Sequence, residues 1–91
     1  MINEPIVKKR EELINLFAQK KYSELIKNIS ELKREFPRSI FLLSLSGNIY
    51  NNLGNYEKSI KSFKEIIKID KNNSDAYYNL GIIYKTIKEF D

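Results

Sequence analysis

Along most of the chain, apolar residues recur three and four positions apart, separated by lysine, glutamate and asparagine. Between residues 56 and 70, Ile60, Phe63, Ile66 and Ile67 form such a series, with Lys58, Lys61, Lys64 and Lys68 outside it. That spacing places one apolar stripe along an α-helix. The stretch before it repeats the arrangement with Leu43, Tyr50 and Leu53, and Gly47 falls on the same face. Breaks between the stripes carry the residues that turns require. Gly54-Asn55 suits the left-handed backbone that closes a helix, and "DKNNSD" (residues 70–75) offers Asn73 or Ser74 as the next N-cap. Pro37 in "FPRS" blocks continuation of the helix before it, whereas Pro5 is tolerated within a first turn. The pattern predicts an all-α chain of five helices, at about 4–19, 22–36, 39–53, 56–70 and 74–88.

The stripes also repeat over a longer distance. Tyr22, Tyr56 and Phe90 are each 34 residues apart, and so are Leu16, Tyr50 and Tyr84. Gly47 aligns with Gly81, Ile49 with Ile83, Leu53 with Ile87, Ile26 with Ile60, and Ile29 with Phe63. A fixed period of this length, with two helices per period, is the mark of a helical repeat.

The motif "YYNLGIIY" sets Tyr77, Leu80, Gly81 and Tyr84 in order, and the preceding period has Leu43, Gly47, Tyr50, Gly54, Tyr56 and Phe63. In period, pairing and pattern the chain resembles the tetratricopeptide repeat (TPR) family. The resemblance spans residues 6–91 and implies a single domain, 1–91, built as a superhelical stack of antiparallel helix pairs. It divides into a divergent N-terminal cap (6–39), a full repeat (40–73) and a third repeat with its first helix only (74–91). Departures from the family pattern include Glu12 and Ser46 for leucine, Leu13 for glycine, Leu25 and Ser59 for alanine, and Lys71 for proline. Leu25 predicts a wider first helix pair. Gly47 and Gly81 are expected where the two helices of a repeat come closest.

The family resemblance implies a protein-binding scaffold that receives an extended peptide in a concave groove. Carried over residue by residue, the groove falls on Arg10, Ile14 and Phe17 in the first repeat, and on Phe41, Ser44, Asn48, Asn51 and Asn52 in the second. Asp75, Tyr78, Ile82 and Lys85 continue it in the third. Asparagine amides both donate and accept, so this lining suits peptide backbone of any sequence. A subset of the family grips chaperone carboxylate tails, and its positions here are Arg10, Ile14, Leu45, Asp75 and Asn79. Only Arg10 fits, and Asp75 would repel the tail.

Composition removes several alternatives. There is no cysteine and no histidine, which excludes disulfides, thiolate nucleophiles, imidazole bases and Cys/His zinc sites. No Gly-rich phosphate loop or calcium-binding spacing is present, so no cofactor is expected. The N-terminus lacks an apolar run for a signal or membrane span, which makes the cytoplasm the default compartment. The net charge of +4 raises nucleic acid as a partner, but Glu11, Glu12, Glu57 and Glu65 interrupt the lysine clusters. Interrupted lysine on a convex helix reads as solvated surface rather than a phosphate track. No constellation supports catalysis, and an enzyme reading needs a glycosyltransferase- or sulfotransferase-like domain downstream of Asp91. The third repeat lacks its second helix. Its first helix is expected to set Tyr77, Leu80, Tyr84 and Ile87 against the preceding pair and to leave Ile82, Ile83 and Phe90 uncovered. That predicts either a fragment of a longer TPR protein or self-association, as a homodimer, through Ile83, Ile87 and Phe90.

Overall fold

A computed structural model of the chain describes residues 3–90, except for the side chain of Phe90. Five α-helices follow one another: α1 (Val7–Ala18), α2 (Tyr22–Glu35), α3 (Ile40–Asn52), α4 (Tyr56–Ile69) and α5 (Ser74–Phe90). No strand occurs among the described residues. The helices belong to two compact units, Met1–Leu42 and Leu43–Asp91, whose boundary lies within α3.

In the first unit α1 packs on α2, with the rings of Phe17 and Tyr22 5.8 Å apart and tilted by 54°. The turn between them closes by two backbone bonds, Lys20 N–H to Phe17 C=O and Lys21 N–H to Leu16 C=O, both 3.0 Å. This double closure requires a left-handed residue at its centre, and Lys20 adopts φ 59°. Thirty-four residues later the bonds recur, from Gly54 to Asn51 (3.1 Å) and from Asn55 to Tyr50 (2.8 Å), with φ 77° at Gly54. Glycine takes that backbone without strain, whereas a side chain costs about 1–2 kcal/mol there. The period is thus kept in backbone geometry even where the residue type is lost.

The first unit fills its interior in its own way. Leu13, Leu25 and Ile29, in register with Gly47, Ser59 and Phe63, are each no more than 3% exposed. A leucine replaces the glycine on one helix, and a smaller isoleucine replaces the phenylalanine on the other.

The main departure from expectation is the start of α1. It begins at Val7, three residues after the predicted start, because Glu4 and Pro5 are engaged elsewhere. Glu4 accepts hydrogen bonds from the Ile40 amide (2.9 Å), the Phe41 amide (3.3 Å) and the hydroxyl of buried Ser39. The Ser39 hydroxyl in turn accepts from the Leu42 amide at 3.0 Å. Four donor groups at the start of α3 are therefore satisfied, three of them by a carboxylate 35 to 37 residues away in sequence.

The second unit shows how helix ends are set by short polar side chains. Asn55 caps α4 by accepting from the Lys58 amide (3.3 Å), and Asn73 caps α5 by accepting from the Ala76 amide (2.9 Å). Lys71 replaces the expected proline without loss of the turn. Asp70 there accepts from the Asn72 amide (3.2 Å), and the Tyr77 hydroxyl donates to the Lys71 carbonyl (3.1 Å). The core of this unit includes Leu43, Ile49, Phe63, Ile66, Ala76 and Ile83, each at most 2% exposed.

Candidate binding surfaces

In the second unit α3 and α4 approach closely at Gly47. A Cβ built there would lie 2.6 Å from both Cε2 and Cζ of Phe63, and the Phe63 side chain is only 1% exposed. Any side chain at 47 meets a ring with nowhere to go. One turn earlier on α4, the Ser59 hydroxyl donates to the Gly47 carbonyl at 2.7 Å, in a buried setting. Ser59 is thus the small residue that lets α4 approach, and it ties the two helices as well. Tyr50, further along the same face, lies under the Lys58 ammonium, 5.3 Å from the ring centroid. The expected close approach of paired helices is present at Gly47.

Gly81 differs. No described atom lies within 4 Å of a Cβ built there. Its neighbours on the face, Tyr77 and Tyr84, are 51% and 47% exposed, although the apolar stripe predicts both to pack inward. α5 rests on α4 and buries a different stripe, Ala76, Leu80 and Ile83. Ile83, expected to lie uncovered, is 1% exposed, so it is closed inside its own unit and offers nothing to a second chain. Ile87 is half-buried, and the Phe90 side chain lies outside the described residues. Leu53, assigned to the inward stripe of α3, is 53% exposed because it sits in the turn beyond Asn52, the last residue of that helix.

The residues assigned to the groove fall in both units. In the first unit, Arg10 and Phe41 come together, with the guanidinium carbon 6.0 Å from the ring centroid. The Arg10 Nε is buried and has no hydrogen-bond partner among the described residues. Ile14 is exposed and Phe17 half-buried. In the second unit Ser44, Asn48 and Asn51 are half-buried along α3 and Asn52 is exposed. On α5, Tyr78 is the most exposed large apolar side chain described, at 70%, and Ile82 is 40% exposed. Two open clefts lie elsewhere: one along α4 beside Ile60 and Lys64, the other bounded by Pro5, Ile6, Leu32 and Phe36. Among the described residues no group of acidic side chains could hold a metal ion, and no helix is long and apolar enough to cross a membrane.

Glu4 is the structural residue that the sequence pattern missed. It is an isolated acid before a proline, and no local spacing links it to Ser39.

Helix pairs closed by one kind of turn, in a 34-residue register, with a glycine under a buried aromatic, define an antiparallel helix-pair repeat protein. The TPR repeat model matches residues 47–87, and the chain belongs to the tetratricopeptide repeat family. Similar proteins include Hsp70-Hsp90 organizing protein 3 of Arabidopsis thaliana, 28% identical over 82 residues, or 90% of this chain and 15% of that protein. Anaphase-promoting complex subunit 3 of Schizosaccharomyces pombe is 30% identical over 73 residues, covering 79% of this chain and 11% of the relative. A probable UDP-N-acetylglucosamine–peptide N-acetylglucosaminyltransferase SPINDLY of rice (Oryza sativa subsp. japonica) is 40% identical over 38 residues, covering 42% and 4%. The chain therefore spans at most 15% of the length of these relatives. No solved structure matches it. Repeats of this family generally mediate protein–protein interaction.

Proposed function

We propose that this chain is a non-catalytic cytoplasmic binding module that holds an extended segment of a partner protein along α3 and α5. The observation that carries this reading is the row Ser44, Asn48, Asn51 and Asn52 on α3, in the same unit as the exposed Tyr78 and Ile82 on α5. Primary amides can pair with peptide N–H and C=O groups regardless of side chains, while a tyrosine and an isoleucine supply apolar contact. The partner segment is not a chaperone-type carboxylate tail: Asp75 is exposed at the relevant position on α5, and Ile14 and Leu45 stand at two others. Self-association through Ile83 drops out of this reading, since that side chain is covered.

Replacing Asn48 and Asn52 by alanine tests the assignment. A partner recovered with the unaltered chain from lysate of its source organism should bind the double variant about tenfold more weakly, a loss of about 1.4 kcal/mol, on the scale of one or two hydrogen bonds. Circular dichroism should show unchanged helicity. Equal binding by the double variant would defeat the reading.

A second reading rests on the rice relative, whose name describes a glycosyltransferase. In that case the chain is a TPR segment of a larger enzyme. The gene sequence beyond the codon for Asp91 decides it: a transferase domain in frame supports the reading, and a stop codon removes it.

A further inference from the structure

Charge is unevenly placed in the second unit. From Ile40 to Asn52, α3 contains no aspartate, glutamate, lysine or arginine, so Ser44, Asn48 and Asn51 give it an uncharged polar row. Thirty-four residues on, these three correspond to Tyr78, Ile82 and Lys85 of α5. With Asp75 ahead of them, the α5 residues follow one another at spacings of three, four and three, which is one face of a helix. It is a different face from Ala76, Leu80 and Ile83, which α5 turns toward α4. All four side chains are exposed, Tyr78 at 70% and Ile82 at 40%. Among the described residues, neither Asp75 nor Lys85 is held in an ion pair or a side-chain hydrogen bond. Along α5 the face thus runs acid, aromatic, aliphatic, base, and α3 adds no charge to it.

Spacing sets what fits. Tyr78 and Ile82 lie about 6 Å apart along the helix axis, and Asp75 and Lys85 about 15 Å apart. An extended chain advances about 3.3 Å per residue and turns every second side chain to the same side. Two apolar side chains two positions apart in such a chain therefore match Tyr78 and Ile82. The residues just before and just after them come level with Asp75 and Lys85. We infer that the partner segment held here is extended and dipolar, with two apolar residues two positions apart, basic residues toward Asp75 and acidic residues toward Lys85. This rests on the binding mode proposed above and adds a charge order to it. That order also fixes which way the segment lies, because reversing it sets like charges together at both ends. Glu89 shares the face one turn beyond Lys85, about 6 Å further on, so the acidic stretch is confined to about two residues.

Two seven-residue peptides with blocked ends are the probes: lysine-lysine-leucine-serine-leucine-glutamate-glutamate and the same sequence reversed. They share composition and zero net charge, so only charge order relative to chain direction separates them. Each is titrated into the full 91-residue chain labelled with nitrogen-15, and the amide shifts are followed by NMR at low ionic strength. The expected result is saturable binding with at least about a fivefold preference for one peptide. Asp75→Lys with Lys85→Asp should reverse the preference. Asp75→Asn with Lys85→Gln, which places no wrong charge at either end of α5, should abolish it. Equal affinity for the two peptides, a preference that survives the neutral pair, or no saturation by either at about 5 mM overturns the inference. The binding mode itself is tested separately, by the partner's dependence on Asn48 and Asn52. If the partner needs those asparagines while the peptides show no order, the charge inference alone fails.

Discussion

On α3, Gly47 lies under the ring of Phe63, its carbonyl accepts from Ser59, and Leu43 beside it is buried. On α5 the corresponding residues, Gly81, Tyr84 and Tyr77, meet no covering helix among the described residues. The two helices share a residue pattern and differ in what lies against it. A glycine in a helix has two physical meanings accordingly. At 47 it is the space that a neighbour needs, and its backbone cost is offset by the packing of a buried ring. At 81 the cost stands alone. The comparison shows that an amphipathic pattern tells which residues form a face, whereas exposure is a property of the pair.

Substitutions at three places, Phe63, Ser59 and the two glycines, sharpen this contrast. The largest effect is expected from Phe63→Ala, which removes a buried ring from the α3–α4 contact and should cost about 3–5 kcal/mol by urea denaturation. In a chain of 91 residues that is a large share of total stability, so the variant should be mostly unfolded at moderate denaturant. Retention of stability within about 1 kcal/mol would mean that the ring is not the anchor of that contact. A smaller loss, about 1 kcal/mol, is expected from Ser59→Ala, which removes the buried hydroxyl–carbonyl bond to Gly47 without crowding anything. Ser59→Thr, which keeps the hydroxyl but adds a methyl where exposure is 0%, should also lose stability, because the site has no room. The third place is the glycine pair, taken up below.

Much of the fold was legible in the chain because its signals are local. Stripe spacing located all five helices, and Gly54-Asn55 and Asn73 marked the turn and cap that the structure shows. The 34-residue register carried further than residue identity: Lys20 adopts the left-handed backbone of Gly54, and Ser39 caps α3 as Asn73 caps α5. What sequence could not supply was the neighbour. Glu4 caps a helix some 36 residues away, and an isolated acid carries no periodic signal of such a contact. Ile83 appeared uncovered and Tyr77 and Tyr84 covered, and the structure reverses both, because α5 turns the Ala76–Leu80–Ile83 stripe toward α4. Among the residues assigned to the groove, the pairing of Arg10 with Phe41 needed coordinates.

The central claim is that one face is filled on α3 and open on α5, and a matched pair of glycine substitutions tests it most directly. Urea denaturation of Gly47→Ala and Gly81→Ala, followed by circular dichroism, compares the same chemical change at the two positions. At 81 the added methyl should gain about 1 kcal/mol, since helix propensity improves and nothing is displaced. At 47 the same gain should be overridden by the clash with Phe63, leaving a net loss of about 1–2 kcal/mol. Opposite signs are the predicted result. Destabilisation at both positions would mean that Gly81 is already covered and would contradict the account.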